Sequence, residues 1–273
     1  MFSTISTQAN ELVSLTKKKE TNSKTKVIAI TSGKGGVGKS TISANIVYLL
    51  AQKQYKVAIL DADIGLANLQ VLLNVKPKYT FFDYVDGTKS LDEIQTPTAY
   101  ENITLYAGKS GYKYSNQTSS MVFSRIIEDI VELNKYDILL IDTGAGLNEY
   151  VQEFLTVSDY ILAITSTDPS AITDAYAMIK MISKIKNNLL ICFNHTKKYH
   201  IGETITKSIK DLARKNRLNE NFMLKYIGNV NSSDTIQTLG RQRKLFTHEF
   251  DAHLATLELK DIVDNLLANI KKD

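Results

Sequence analysis

Residues 33 to 40 read Gly33-Lys34-Gly35-Gly36-Val37-Gly38-Lys39-Ser40, and their types and spacing match a phosphate-binding loop of the form G-x-x-x-x-G-K-[ST]. Glycines let consecutive backbone N–H groups turn inward on a phosphate with no Cβ in the way. Lys39 then reaches the outer phosphates, and Ser40 offers its hydroxyl to Mg²⁺. A following helix, entered through Thr41, adds its positive N-terminal end. Gly33 to Thr41 is therefore the expected nucleotide-contacting segment. A cradle already holding one lysine gains little from another, so Lys34 should have a separate task.

Two apolar runs end in aspartate: Leu60-Asp61-Ala62-Asp63 and Leu140-Ile141-Asp142-Thr143-Gly144-Ala145-Gly146. An aspartate after a buried strand is how a P-loop fold supplies a carboxylate to Mg²⁺, usually through a water. Asp142 fits that role, Asp61 fits a second outer-shell carboxylate, and Asp63 fits the orientation of an attacking water. The plainer alternative is that these aspartates cap turns. Gly144 and Gly146 give a loop able to follow a γ-phosphate. Asn194 ends the run Leu189–Phe193. Its amide donor and acceptor suit adenine, and a simple turn residue suits the position equally. His195 and His200 are joined by no carboxylate or cysteine cluster, so no transition-metal site is expected.

These groups need a scaffold. Candidate strands cover 27–31, 57–60, 103–107, 138–141, 160–165, 189–193 and 224–227; candidate helices cover 40–52, 118–134, 171–186, 203–217, 233–243 and 254–271. Such alternation predicts an α/β fold, a doubly wound, mostly parallel sheet with helices on both faces. Ligands of these sheets sit beyond the carboxyl ends of the strands, where the aspartates fall.

At 273 residues and 43% hydrophobic content, the chain suits one large α/β domain with a substantial core. A net charge of +4 permits an anionic partner without requiring one. The single cysteine, Cys192, excludes a disulfide framework and a four-cysteine cluster within the chain. Its apolar neighbours make it a buried structural thiol. The N-terminus shows no basic region followed by an apolar core, and no run approaches a membrane span, so the expected location is cytoplasmic.

Residues 17 to 26 are polar and charged, which reads as a solvated linker. Ahead of it, Ile5, Ala9, Leu12, Val13 and Leu15 can form one face of a short helix. That segment is either a tail or a helix that orders on a partner. The expected division is a segment and linker over 1–25 and a single domain over 26–273.

Together these motifs resemble the MinD/ParA family of P-loop ATPases, marked by a deviant Walker A loop whose additional signature lysine is here Lys34. The resemblance covers Lys26 to about Ile270. It implies ATP and Mg²⁺ as cofactors and a homodimer in which two monomers close face to face over two ATP molecules. Lys34 then crosses to the partner's nucleotide, much as an arginine finger does. It further implies that Asp63 acts on the hydrolytic water, that Asp142 is the Walker B aspartate and that Asn194 contacts the base.

Gly65-Leu66-Ala67-Asn68-Leu69 and the stretch Asp168 to Lys180 resemble the flagellar-number ATPases of the FlhG type (also FleN or YlxH). That resemblance implies control of flagellar number or placement, together with the flagellar GTPase FlhF and basal-body proteins. In that group an N-terminal D-Q-A-x-x-L-R pattern activates the GTPase. Thr7-Gln8-Ala9-Asn10-Glu11-Leu12-Val13 keeps the Gln, Ala and Leu but lacks the Asp and Arg. The family's Ile-Pro-x-Asp after a late strand is here Val230-Asn231-Ser232-Ser233, which predicts altered contacts on the adenine side.

Membrane-binding relatives end in a basic amphipathic helix. Here the stripe Leu259, Ile262, Val263, Leu266, Leu267 and Ile270 is opposed by Asp261, Asp264 and Asn265, which favours a final core helix over an interfacial one. A peripheral position at the inner face of the cell membrane or pole has only weak support. The alternatives are a MinD-like division-site ATPase and a ParA-like DNA-segregation ATPase. DNA would need cations such as Lys207, Lys210, Arg214 and Lys244, which solvated helix faces explain equally well; it is not an expected partner. An iron–sulfur carrier of the same fold would need paired cysteines, which the sequence lacks.

Overall fold

The computed structural model describes residues 24–63, 68–109, 122–197, 200–216 and 218–270. Residues 5–13, expected to contact a GTPase, lie outside the described residues, as do Gly65 to Ala67 and part of the candidate helix 118–134.

Among the described residues, eight strands form one sheet: β1 (Lys26–Ser32), β2 (Val57–Ala62), β3 (Gln95–Pro97), β4 (Ile103–Tyr106), β5 (Ile138–Ala145), β6 (Tyr160–Ser166), β7 (Asn188–Thr196) and β8 (Met223–Asn231). Their spatial order is β3-β4-β2-β5-β1-β6-β7-β8. Every pairing is parallel except β3 with β4. From β1 the order runs through β5 and β2 on one side and through β6, β7 and β8 on the other. β1 is thus the switch point, and its carboxyl end opens onto the crevice.

Ten helices accompany the sheet: α1 (Lys39–Gln52), α2 (Leu69–Leu72), α3 (Phe81–Val85), α4 (Val122–Glu132), α5 (Glu149–Val157), α6 (Pro169–Ile182), α7 (Ile201–Lys215), α8 (Asp234–Arg241), α9 (Phe246–Glu249) and α10 (Leu254–Ile270), all within the described residues. Alternate residues of β1 point to opposite faces, as strand geometry demands. Ile28 and Ile30 join α1 and α10 in one core layer, while Ala29 joins α5, α6 and α7 in another. Both faces are covered, so the central strands read as unbroken apolar runs.

The expected doubly wound sheet is therefore present. β3, α2, α3, α5 and α9 were not anticipated. α5 begins where Asn148 Oδ1 accepts the Val151 N–H at 2.9 Å, a side-chain N-cap that ends the glycine loop after β5.

The terminal stripe docks on the sheet. Leu259, Ile262, Val263 and Leu266 are fully buried, and Asn265 Nδ2 donates to the Ile227 carbonyl of β8 at 3.0 Å. Cys192 is buried in β7. No helix among the described residues is long and apolar enough to cross a membrane.

Candidate nucleotide-binding site

β1 delivers the chain into the glycine loop, and α1 leaves it at Lys39. Two glycines are fixed by packing. A Cβ on Gly33 would stand 2.5 Å from the backbone carbonyl carbon of Asp174 in α6. Gly38 has a left-handed φ of +84°, and a Cβ there would meet Asn194 Nδ2 at 2.3 Å. The loop is thus pressed against α6 at its start and against β7 at its end.

Lys39 and Asp142 meet in the interior. Nζ lies 2.8 Å from Oδ1, with side-chain exposures of 6% and 0%. Ser43 Oγ, one helical turn beyond Lys39, donates to the same Oδ1 at 2.7 Å. Lys39 Nζ also lies 3.4 Å from Ser40 Oγ. The other carboxylate oxygen of Asp142, Oδ2, is buried without a hydrogen-bond partner. A buried acceptor of this kind calls for an occupant. An unsatisfied carboxylate oxygen near a serine hydroxyl suits a hydrated Mg²⁺ held through one or two protein groups.

Asp61 lies beside Asp142 in the register of β2 and β5 and is 1% exposed. Its oxygens are engaged by the chain itself: Oδ1 accepts from Asp63 N at 3.4 Å and Oδ2 from Leu69 N at 3.0 Å. Burial, and then the charge of Asp142, push its carboxyl up to about 7 despite these two N–H donors. One carboxylate therefore ties both ends of the segment between Asp63 and Leu69. The open oxygen of the aspartate pair belongs to Asp142.

Asp63 is half-buried, and its Oδ1 lies 3.7 Å from where a Cβ of Gly144 would stand. The residue expected to orient water thus faces the glycine loop after β5.

Lys34 points out of the cradle. Its Nζ donates to Ser170 Oγ and lies 3.5 Å from Asp168 Oδ2, with side-chain exposures of 40% for Lys34 and 53% for Asp168. Asp168 is the N-cap of α6: its Oδ1 accepts from the backbone N–H and the hydroxyl of Ser170, both at 3.1 Å. Those two bonds, and then Lys34, hold its carboxyl below the ordinary range.

On the opposite side, Asn194 is 6% exposed and its Nδ2 donates to the Val37 carbonyl at 2.9 Å. Asn231, where the family motif is altered, is braced. Its Oδ1 accepts from Thr196 Oγ1 at 2.6 Å, and its N and Nδ2 donate to the two oxygens of Glu258, each at 2.7 Å.

The structure thus brings Lys34, Lys39, Ser40, Asp61, Asp63, Asp142 and Asn194 around one glycine loop. Ser43, Asp168, Ser170 and Glu258 are additions to the set read from sequence. Ser43 had a local signal, four residues beyond Lys39 on the same helix face. Glu258 had none.

The ParA family profile, described as NUBPL iron-transfer P-loop NTPase, matches residues 23–267. The chain belongs to the MinD/ParA family of P-loop ATPases. It is 39% identical to the flagellum site-determining protein YlxH of Helicobacter pylori over 222 residues, 81% of this chain and 74% of that protein. It is 27% identical to the antiactivator FleN of Pseudomonas aeruginosa over 246 residues, 88% of this chain and 85% of that protein. In fold it is similar to a chain of the MinC:MinD cell division protein complex of Aquifex aeolicus, with a TM-score of 0.75 at 24% identity over 89% of this chain and 96% of that one. MinD of Pyrococcus horikoshii, solved with Mg-ADP, gives 0.73 at 22% identity over 90% and 98%. The profile's iron-transfer description finds no thiol pair in this MinD/ParA sequence, whose one cysteine is buried.

Proposed function

We propose that this protein is a dimerising molecular-switch ATPase that regulates flagellar number or placement. The observation that carries the switch reading is the position of Lys34. It lies on the phosphate loop yet outside the cradle, half-exposed and held by Asp168 and Ser170.

In this reading Lys39 exchanges Asp142 for the outer phosphates of ATP, and Ser40 and Asp142 hold Mg²⁺, with Asp61 behind them. An Mg²⁺ held by these residues would supply positive charge against the charge of the phosphates. The backbone of Gly33 to Thr41 cradles the phosphates, Asn194 contacts the base, and Asp63 orients the attacking water. Lys34 leaves Asp168 and Ser170 and reaches the nucleotide of a second copy. The Lys34 contact exists only in the closed dimer and only with ATP bound, which gives the differential affinity a switch requires. Slow hydrolysis then reopens it.

Similarity to the flagellum site-determining protein and to FleN supports the flagellar assignment. The partners proposed are a flagellar GTPase of the FlhF type, through residues 5–13, and basal-body proteins. Action is cytoplasmic, with any membrane contact peripheral, because the apolar face of α10 is already spent on the sheet.

The test is capture. Asp63→Ala protein, loaded with ATP or with ADP, is used as bait in native lysate. Retention of the flagellar GTPase or basal-body proteins with ATP alone supports the assignment. Retention of DNA or of a division inhibitor instead moves the protein to the ParA-like or MinD-like alternative.

A further inference from the structure

The last turn of β7 carries a residue that the switch mechanism does not use. His195 follows Asn194 and adopts a left-handed backbone, φ +56°. Such a conformation is uncommon outside glycine and, where it persists, often marks a functional position. It directs the imidazole at the phosphate loop, with Nε2 3.3 Å from where a Cβ of Gly38 would stand. The ring is half-buried, and neither nitrogen has a hydrogen-bond partner among the described residues. Burial also lowers its pKa.

Asn194, next to it, is more than nine-tenths buried. Its amide nitrogen is anchored to the Val37 carbonyl, while its Oδ1 has no partner among the described residues. Two unsatisfied polar groups and one flat ring thus converge on the Gly38 end of the loop. The His195 ring, with Lys34, Gly36, Asp168 and Lys197, lines a cleft of about 560 Å³.

We propose that His195 is a nucleobase-contacting residue, its ring forming the platform on which the purine of the bound nucleotide packs while Asn194 Oδ1 accepts from the exocyclic amine. This rests on the nucleotide-binding reading above. A phosphate contact is the poorer assignment, because Lys39 and the loop amides already supply the donors a phosphate needs. A flat aromatic face suits a base, since packing of a base on an aromatic ring contributes substantially wherever it has been measured. An acceptor at the amine position also disfavours guanine, which presents a carbonyl there.

The test separates base from phosphate. Affinities of ATP, ADP and inorganic tripolyphosphate, each with Mg²⁺, are measured by competition against a fluorescent adenine nucleotide for wild type, His195→Ala and His195→Phe. His195→Ala should weaken ATP and ADP alike by about tenfold and leave tripolyphosphate unchanged, which also shows that the variant's loop is intact. His195→Phe keeps the flat ring and should restore most of the loss. Equal weakening of tripolyphosphate, or unchanged ATP and ADP affinity in His195→Ala, overturns the proposal. Failure of wild type to bind ATP overturns the nucleotide reading itself.

Discussion

Lys34 and Asp168 face each other across the mouth of the nucleotide cleft, Nζ to Oδ2 3.5 Å, with Asp168 also capping α6. The signature lysine is therefore restrained by its own chain before it can serve another. The restraint is weak, since a half-exposed ion pair contributes about 0–1 kcal/mol.

Asp168→Asn removes the charge and keeps an effective N-cap. It should let the ATP-loaded protein dimerise at a concentration about two- to fivefold lower, the range that a pair of this strength allows. Sedimentation with a non-hydrolysable ATP analogue reads the shift, and Lys34→Ala should remain monomeric under the same conditions. Identical dimerisation of Asp168→Asn and wild type would show that the pair restrains nothing.

Asp63 Oδ1 lies beside the Gly144 loop, 3.7 Å from where a Cβ of Gly144 would stand. Asp63→Ala should therefore cut ATP turnover by about 10²-fold or more, the size of a lost water-orienting or basic group, while ATP still binds. Steady-state phosphate release together with equilibrium nucleotide binding tests both halves of the expectation. A parallel loss of ATP binding would place Asp63 in the cradle instead.

Glu258 is 7% exposed and takes both N–H groups of Asn231. A glutamine can accept only through one oxygen, so Glu258→Gln leaves a buried donor unpaired and should cost about 1–3 kcal/mol in denaturant unfolding. Burial raises the Glu258 pKa, partly opposed by the Asn231 N–H. The folded protein then holds this proton more tightly than the unfolded chain does. Its contribution to stability falls as pH climbs from the ordinary glutamate range through the folded value, and is level above it. The variant should lose that slope. An unchanged pH profile would mean that the carboxyl titrates alike in both states.

Cys192 is enclosed in β7, and burial pushes its thiol up to about 12. A chromogenic disulfide reagent at pH 8 should leave native protein unlabelled and react only as denaturant unfolds it. Fast labelling of native protein would mean that β7 opens locally.

Much of this site was legible because its chemistry is local. Gly33 to Ser40 is a contiguous motif, and Asp61, Asp63 and Asp142 each follow an apolar run. Lys34's restraint was not legible, because Ser170 lies 136 residues further along the chain and only the β1–β6 pairing brings the two loops together. β3 was missed because Gln95-Thr96-Pro97 offers no apolar alternation. α5 carries helical spacing in Val151, Phe154 and Leu155. Its start is set by the Asn148 side-chain cap, which no apolar spacing signals.

The contact between Gly33 and the Asp174 backbone has a mechanical consequence. α6 is held near its front end by two grips on one loop, Lys34 at Asp168 and Ser170, and Gly33 at Asp174. Loss of the first would leave the close packing at Gly33 as the loop's remaining hold on this end of the helix. Its fourteen residues extend about 21 Å. One helix thus joins the nucleotide loop at its front end to the outer surface further along, where a protein that never touches the nucleotide can meet it.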